Sequence, residues 1–204
     1  MARPLVIVGA GGHARACIDV IERHGGYEII GLIGRAEEVG QNVLEHRVIG
    51  SDNDLPALAG PAVCAIVAVG QIRTAPVRRA LFEQLSQLGF QSPAIVSPLA
   101  YVSRHAAIGA GTIVMHHATL NAGARVGSNC IINTAAMVEH DCNVGDHCHI
   151  STGAVLNGGV RIGAGCFVGS GSIIREECSV GDGTVIGMGL LVRHDVVSGT
   201  VYTG

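Results

Sequence analysis

The sequence predicts two folded parts, a small α/β unit over 1–93 and a parallel β-helix over 94–204. Three observations carry this expectation. An apolar run, Leu5-Val6-Ile7-Val8, ends in the glycine turn Gly9-Ala10-Gly11-Gly12 and then passes into a helical pattern. A six-residue repeat runs unbroken from Val96 to Val192. Aromatics make up only 3% of a chain that is 48% hydrophobic and holds 30 glycines, so the core must form by repetitive close packing of Val, Ile, Ala and Cys.

In the first part, strand, glycine turn and helix follow one another. The helix shows apolar residues at Cys17, Ile18, Val20 and Ile21. A second strand is expected over Tyr27 to Ile33 and a third over Ala62 to Val69, ended by Gly70. A helix is expected from Thr74 to Leu88, with Val77, Leu81, Leu85 and Leu88 on its apolar face. The turn fits G-x-G-x-x-A, in which backbone N–H groups at a helix start approach a phosphate. A dinucleotide dehydrogenase also needs an acid at the end of the second strand, for the ribose. Here that place reads Ile33-Gly34. A nucleotide or nucleotide-sugar site is therefore the better expectation, with His13 at the helix mouth. The alternative is that the glycines serve only the tight turn.

In the second part, every sixth residue from Val96 to Val192 is β-branched or Leu, and the fifth place of each hexad is nearly always small. Side chains alternate along a strand, so places five and one point inward and place six points out. Gly, Asn and Asp gather at places two to four, the turn. Such hexads are the signature of a parallel β-helix. The hexapeptide solenoids this pattern resembles are left-handed prisms with three sides, against the usual right-handed crossover. Residues three hexads apart then stack at about 4.8 Å.

This register sorts the polar residues. Cys130, Cys142, Cys148, Cys166 and Cys178 all take place five, as small core residues. His140 takes place three, on a corner, and Asp141 follows it. A short acid beside a surface histidine can orient the ring and stabilise the imidazolium, as a general base requires; a solvated polar corner is the alternative. His149 takes place six, mid-face and outward. One coil after His140 stands Gly158, a candidate oxyanion donor through its backbone N–H. Ser170 and Met188 are one coil apart along another corner, as the floor of a groove for an extended ligand. His105, His116, His117, His147 and His194 read as solvated turn residues.

A net charge of -3 without a basic cluster argues against a nucleic-acid partner. No apolar run approaches the ~18 residues of a membrane helix. The chain reads as soluble and cytoplasmic, with reduced cysteines.

The chain resembles the bacterial sialic-acid and nucleotide-sugar acyltransferases (NeuD/PglD/PerB-like). The resemblance covers nearly the whole chain and rests on Val8-Gly9-Ala10-Gly11-Gly12-His13, Ile131-Ile132-Asn133-Thr134, Val138-Glu139-His140-Asp141-Cys142 and His147-Cys148-His149-Ile150-Ser151. It implies acetyl transfer from acetyl-CoA, without a metal, to the amino group of a nucleotide-linked amino sugar. It implies His140 as general base, made more basic by Asp141, and His149 near the acetyl group. Ser170 and Met188 are implied as CoA contacts, and Gly11, Gly12, His13, Gly70 and Asn133 as substrate contacts. It further implies a homotrimer with sites between neighbouring helices. Sugar O-acetylation would use the same His140 on a hydroxyl. A zinc-dependent carbonic anhydrase built on His117, His140 and His149, and a non-catalytic binding module, are the other readings.

Overall fold

The computed structural model describes residues 2–72 and 74–204. The chain divides into two compact units, one of Met1–Gly70 with Pro76–Ile95 and one of Gln71–Ala75 with Val96–Gly204.

In the first unit the elements are β1 (Arg3–Val8), α1 (Gly12–His24), β2 (Tyr27–Gly34), β3 (Asn42–Val43), β4 (His46–Ser51), α2 (Leu55–Leu58), β5 (Cys64–Val67) and α3 (Pro76–Gln87). The sheet order is β3-β4-β2-β1-β5. All its pairs are parallel except β3 with β4. β1 lies second from one edge, and its Leu5, Val6, Ile7 and Val8 are buried. α1 buries Ala14, Cys17, Ile18, Val20 and Ile21. It ends at Gly25, whose φ of 71° carries its N–H back to the Ile21 carbonyl.

Two details depart from the sequence reading. β3 and β4 were not expected; the pair is a short antiparallel ribbon whose outer strand has only two residues, too few to show a period. α3 buries Leu81 and Leu85 as expected, but its first turn puts Arg78 inward in place of Val77. Val77 is 64% exposed and Arg78 is 1% exposed. The Arg78 Nη1 donates to the carbonyls of Val67, at 2.8 Å, and Val69, at 2.6 Å, where β5 runs out. Hydrogen-bonding those buried carbonyls outweighs burying one more valine.

The second unit is a coil of two-residue strands joined by turns. Its strands form three parallel sheets. Sheet A has seven, from Ile95–Val96 through Ile131–Ile132, His149–Ile150 and Phe167–Val168 to Val201–Tyr202. Sheet B has six, from Tyr101–Val102 through Met137–Val138, Val155–Leu156 and Ile173–Ile174 to Leu191–Val192. Sheet C has five, from Ala107–Ile108 to Ser179–Val180. Each strand pairs with the one eighteen residues on, as Met137 with Val155, until the last pair of sheet A, where Val185 meets Val201 after sixteen. Places one and five fill the interior from Val114 to Val196. All seven cysteines are buried. In the turns, place four is left-handed throughout from Gly111 to Gly189, including His117, Asn129, Ala135, Asp141, His147 and Glu177.

Sheet A departs from the rule that place six is open to solvent. Ile113 and Ile131 are fully buried and His149 is 7% exposed. The segment Gln71–Ala75 belongs to this unit, and the Gln71 carbonyl meets the His149 ring. His149 does point outward from the coil, but onto a covered face. Among the described residues no helix is long and apolar enough to cross a membrane.

Candidate active site

The turn after Met137–Val138 carries Glu139, His140 and Asp141. Asp141 sits at φ 60°, which turns its carboxylate back beside the preceding ring. Its Oδ2 lies 3.0 Å from His140 Nδ1. A carboxylate only accepts, so Nδ1 carries the proton and Nε2 presents its lone pair. Glu139 is engaged elsewhere: its Oε2 accepts from Asn121 Nδ2 at 2.8 Å and from the His140 backbone N–H at 3.3 Å. The His140 ring lies over Gly158. A Cβ at Gly158 would stand 2.6 Å from both Cε1 and Nε2, so the coil above must leave that space open. The expected juxtaposition of His140, Asp141 and Gly158 is present, and both side chains are exposed, 63% and 75%.

His149 belongs to a different group. Its Nδ1 is 2.7 Å from the Gln71 carbonyl oxygen, its Nε2 is 3.0 Å from Asn133 Nδ2, and the ring stands edge-on to Phe167 at 5.3 Å. Gln71 also donates from Nε2 to the carbonyls of His147 and Cys166. Sequence reasoning missed Gln71, because a glutamine in a connecting segment carries no periodic signal. Ser170 Oγ bonds Ser151 Oγ at 2.9 Å, and Met188, one coil on, is 80% exposed. His140 and His149 do not meet in one chain: one follows a strand of sheet B, the other lies in sheet A. His117, on a turn after sheet A, is apart from both in the coil, and among the described residues no cluster suited to a metal ion forms.

Two other histidines differ from the expected solvated state. His116 Nδ1 meets Ser97 Oγ at 2.6 Å, and His147 Nδ1 meets the buried Asn129 amide at 3.0 Å.

In the first unit, the start of α1 is open. Gly11 caps it without a side chain, no acid lies in its first turn, and a Cβ at Gly11 or Gly12 would meet nothing within 4 Å. Gly9 is needed for another reason: φ is 123° and a Cβ would come 2.8 Å from the Val69 nitrogen. A Cβ at Gly70 would lie 3.5 Å from the His13 Cβ. His13 Nε2 contacts Cys17 Sγ at 3.4 Å, and burial pushes that thiol up to about 12. N–H groups without an acidic neighbour at a helix start can hold an anion.

The hexapeptide coil, together with the likeness over nearly the whole chain to the acetyltransferases below, defines the chain as an acyltransferase of the hexapeptide-repeat class. Residues 4–85 match the PglD N-terminal domain model, and 159–194 match the bacterial transferase hexapeptide model. The acetyltransferase domain of PglB from Neisseria gonorrhoeae, in complex with acetyl coenzyme A, is 34% identical, with a TM-score of 0.89 over 98% of this chain and 95% of that one. A mutant perosamine N-acetyltransferase from Caulobacter crescentus, in complex with CoA and GDP-perosamine, is 32% identical, with a TM-score of 0.88 over 96% of this chain and 90% of that one. WeeI from Acinetobacter baumannii, at 21% identity, shares the fold, with a TM-score of 0.81 over 96% and 93% of the two chains. No curated protein matches. The chain belongs to the NeuD/PglD-like acyltransferases.

Proposed function

We propose that the chain transfers the acetyl group of acetyl-CoA to the amino group of a nucleotide-linked amino sugar of the UDP-4-amino-sugar or GDP-perosamine type. The observation that carries this reading is the His140–Asp141 pair, with Nε2 directed over Gly158. Relatives in complex with acetyl coenzyme A, and with CoA and GDP-perosamine, support the two substrates.

The amine lone pair attacks the thioester carbonyl carbon. His140 Nε2 takes the amine proton, and Asp141 stabilises the imidazolium through Nδ1–H. The tetrahedral intermediate collapses, the C–S bond breaks, and the imidazolium returns the proton to the departing thiolate. No covalent enzyme intermediate is needed, and the coil cysteines are buried in the interior. Acetyl-CoA lies along His149, Gly158, Ser170 and Met188. The sugar nucleotide is held by Gly11, Gly12, His13 and Gly70, with Asn133 at the sugar. In this reading 1–93 is a Rossmann-like nucleotide-sugar domain, 94–204 is a left-handed β-helix, and the enzyme works in the cytoplasm.

The working form is a homotrimer. One supporting observation is that His140 and His149 stand on different sheets of one chain. Another is the outer face of sheet B, where Tyr101, Met137, Ile173 and Leu191 are 61%, 37%, 42% and 46% exposed. An apolar column of this length is unusual on a free surface and fits a partner copy.

His140→Ala is the direct test, with thiol release from acetyl-CoA measured against UDP- and GDP-linked amino sugars. Turnover is expected to fall ~10²–10⁴-fold with an unchanged melting temperature. An unchanged rate removes His140 from the mechanism. Calorimetry with the same sugar nucleotides identifies the base.

A further inference from the structure

Two hydrogen bonds of His149, one at each ring nitrogen, favour one proton arrangement. The Asn133 Oδ1 accepts from the Thr134 backbone N–H at 2.8 Å, which sets the amide orientation. Asn133 Nδ2 therefore faces His149 Nε2, 3.0 Å away, as a donor. On the other side of the ring the Gln71 carbonyl, 2.7 Å from Nδ1, can only accept. Nδ1 carries the proton, Nε2 accepts, and the imidazole is neutral. The ring is 7% exposed and stands edge-on to Phe167, which opposes its rotation. Asn133 Nδ2 has a second N–H, and the described residues give it no second acceptor. Asn133 itself is only half-buried.

We infer that His149 is a positioning residue, and that the donor reaching the thioester carbonyl oxygen is the Asn133 side-chain amide it holds in place. This rests on the acetyl-transfer reading and changes the roles within it. A neutral His149 with an accepting Nε2 has no proton to offer a developing oxyanion. The amide beside it does, and its orientation is set before substrate arrives. Preorganised donors of this kind act without reorganisation at the moment of reaction. Gln71 is the second positioning residue, acting through its carbonyl oxygen.

Two measurements test this on the full chain. The first is nitrogen NMR of the wild-type protein with ¹⁵N-labelled histidine, the His149 signals being assigned by their loss in His149→Gln. Nδ1 is expected as the protonated, pyrrole-type nitrogen and Nε2 as the pyridine-type acceptor. A proton on Nε2 overturns the inference. The second is a kinetic cycle of Asn133→Ala, His149→Ala and the double variant. Asn133→Ala is expected to lower kcat ~10²–10³-fold. The double variant is expected to fall no further than Asn133→Ala alone, because His149 acts through Asn133. Losses that multiply mean that His149 contacts substrate on its own, and overturn the inference. A wild-type chain that releases no thiol with any acceptor defeats the acetyl-transfer reading instead, and the NMR result still decides the tautomer.

Discussion

At the His140 corner, the side chain that matters most is one that is missing. Gly158 has no Cβ, and the His140 ring uses that space, at 2.6 Å from where the carbon would stand. Gly158→Ala must push the ring away by several tenths of an ångström or more. Turnover is expected to fall by up to ~10²-fold, the scale of a 1 Å misplacement, while thermal melting is nearly unchanged. Another residue-scale expectation concerns Cys17. Burial is the main cause that raises its thiol from 9.0 to about 12, and the Arg78 charge opposes it only in part. A group whose folded pKa is raised contributes fully below its unfolded value. Above that value the unfolded chain releases its proton first, so stability falls as pH rises from 9.0 towards 12. Denaturant melts across this range should show the decline, and Cys17→Ala should make it shallower, the raised thiols of Cys64, Cys142 and Cys148 keeping the rest.

At the scale of the element, each turn of the coil is the same device. Place four is left-handed in fourteen successive hexads from Gly111 to Gly189, and eight of these residues are glycine. A side chain in this conformation costs about 1–2 kcal/mol. Asp141 bears that strain at the site, where the conformation serves to bring its carboxylate to His140. Ala135, at φ 55°, bears it without a polar contact from its side chain. Ala135→Gly should therefore stabilise the coil by about 0.5–1 kcal/mol, after the extra freedom glycine has when unfolded. Chemical denaturation would show a higher midpoint with an unchanged slope.

For the whole molecule, the central expectation is that the site needs two copies. His140 follows a strand of sheet B and His149 lies in sheet A, so a single chain presents them apart. If one copy's His140 works against its neighbour's Asn133 and His149, two inactive variants can complement each other. His140→Ala and His149→Ala chains, unfolded together and refolded as mixed trimers, should regain about one quarter of wild-type activity, since one pairing in four is intact. Sites built within single chains would regain none. If the proposed trimer packs on the apolar column of sheet B, Ile173→Glu should lower the molecular mass seen by light scattering.

The repeat made the coil legible. Its inward places, the corner of His140 and Asp141, and the stacking of Gly158 on them all follow from a spacing of six, because a strand's alternation and a coil's pitch are periodic. The glycine turn and α1 were legible for a similar reason, a local pattern with a local cause. The covered face of sheet A was not. Gln71 reaches His149 across seventy-eight positions of chain, and nothing in a hexad announces it. Nor was the inward turn of Arg78, which answers to two carbonyls at the end of β5. The sequence alone thus determined which residues stack and which way they face. Only the tertiary structure decided which outward residues are covered and what each ring nitrogen of His149 faces, because those depend on hydrogen bonds between segments that periodicity does not connect.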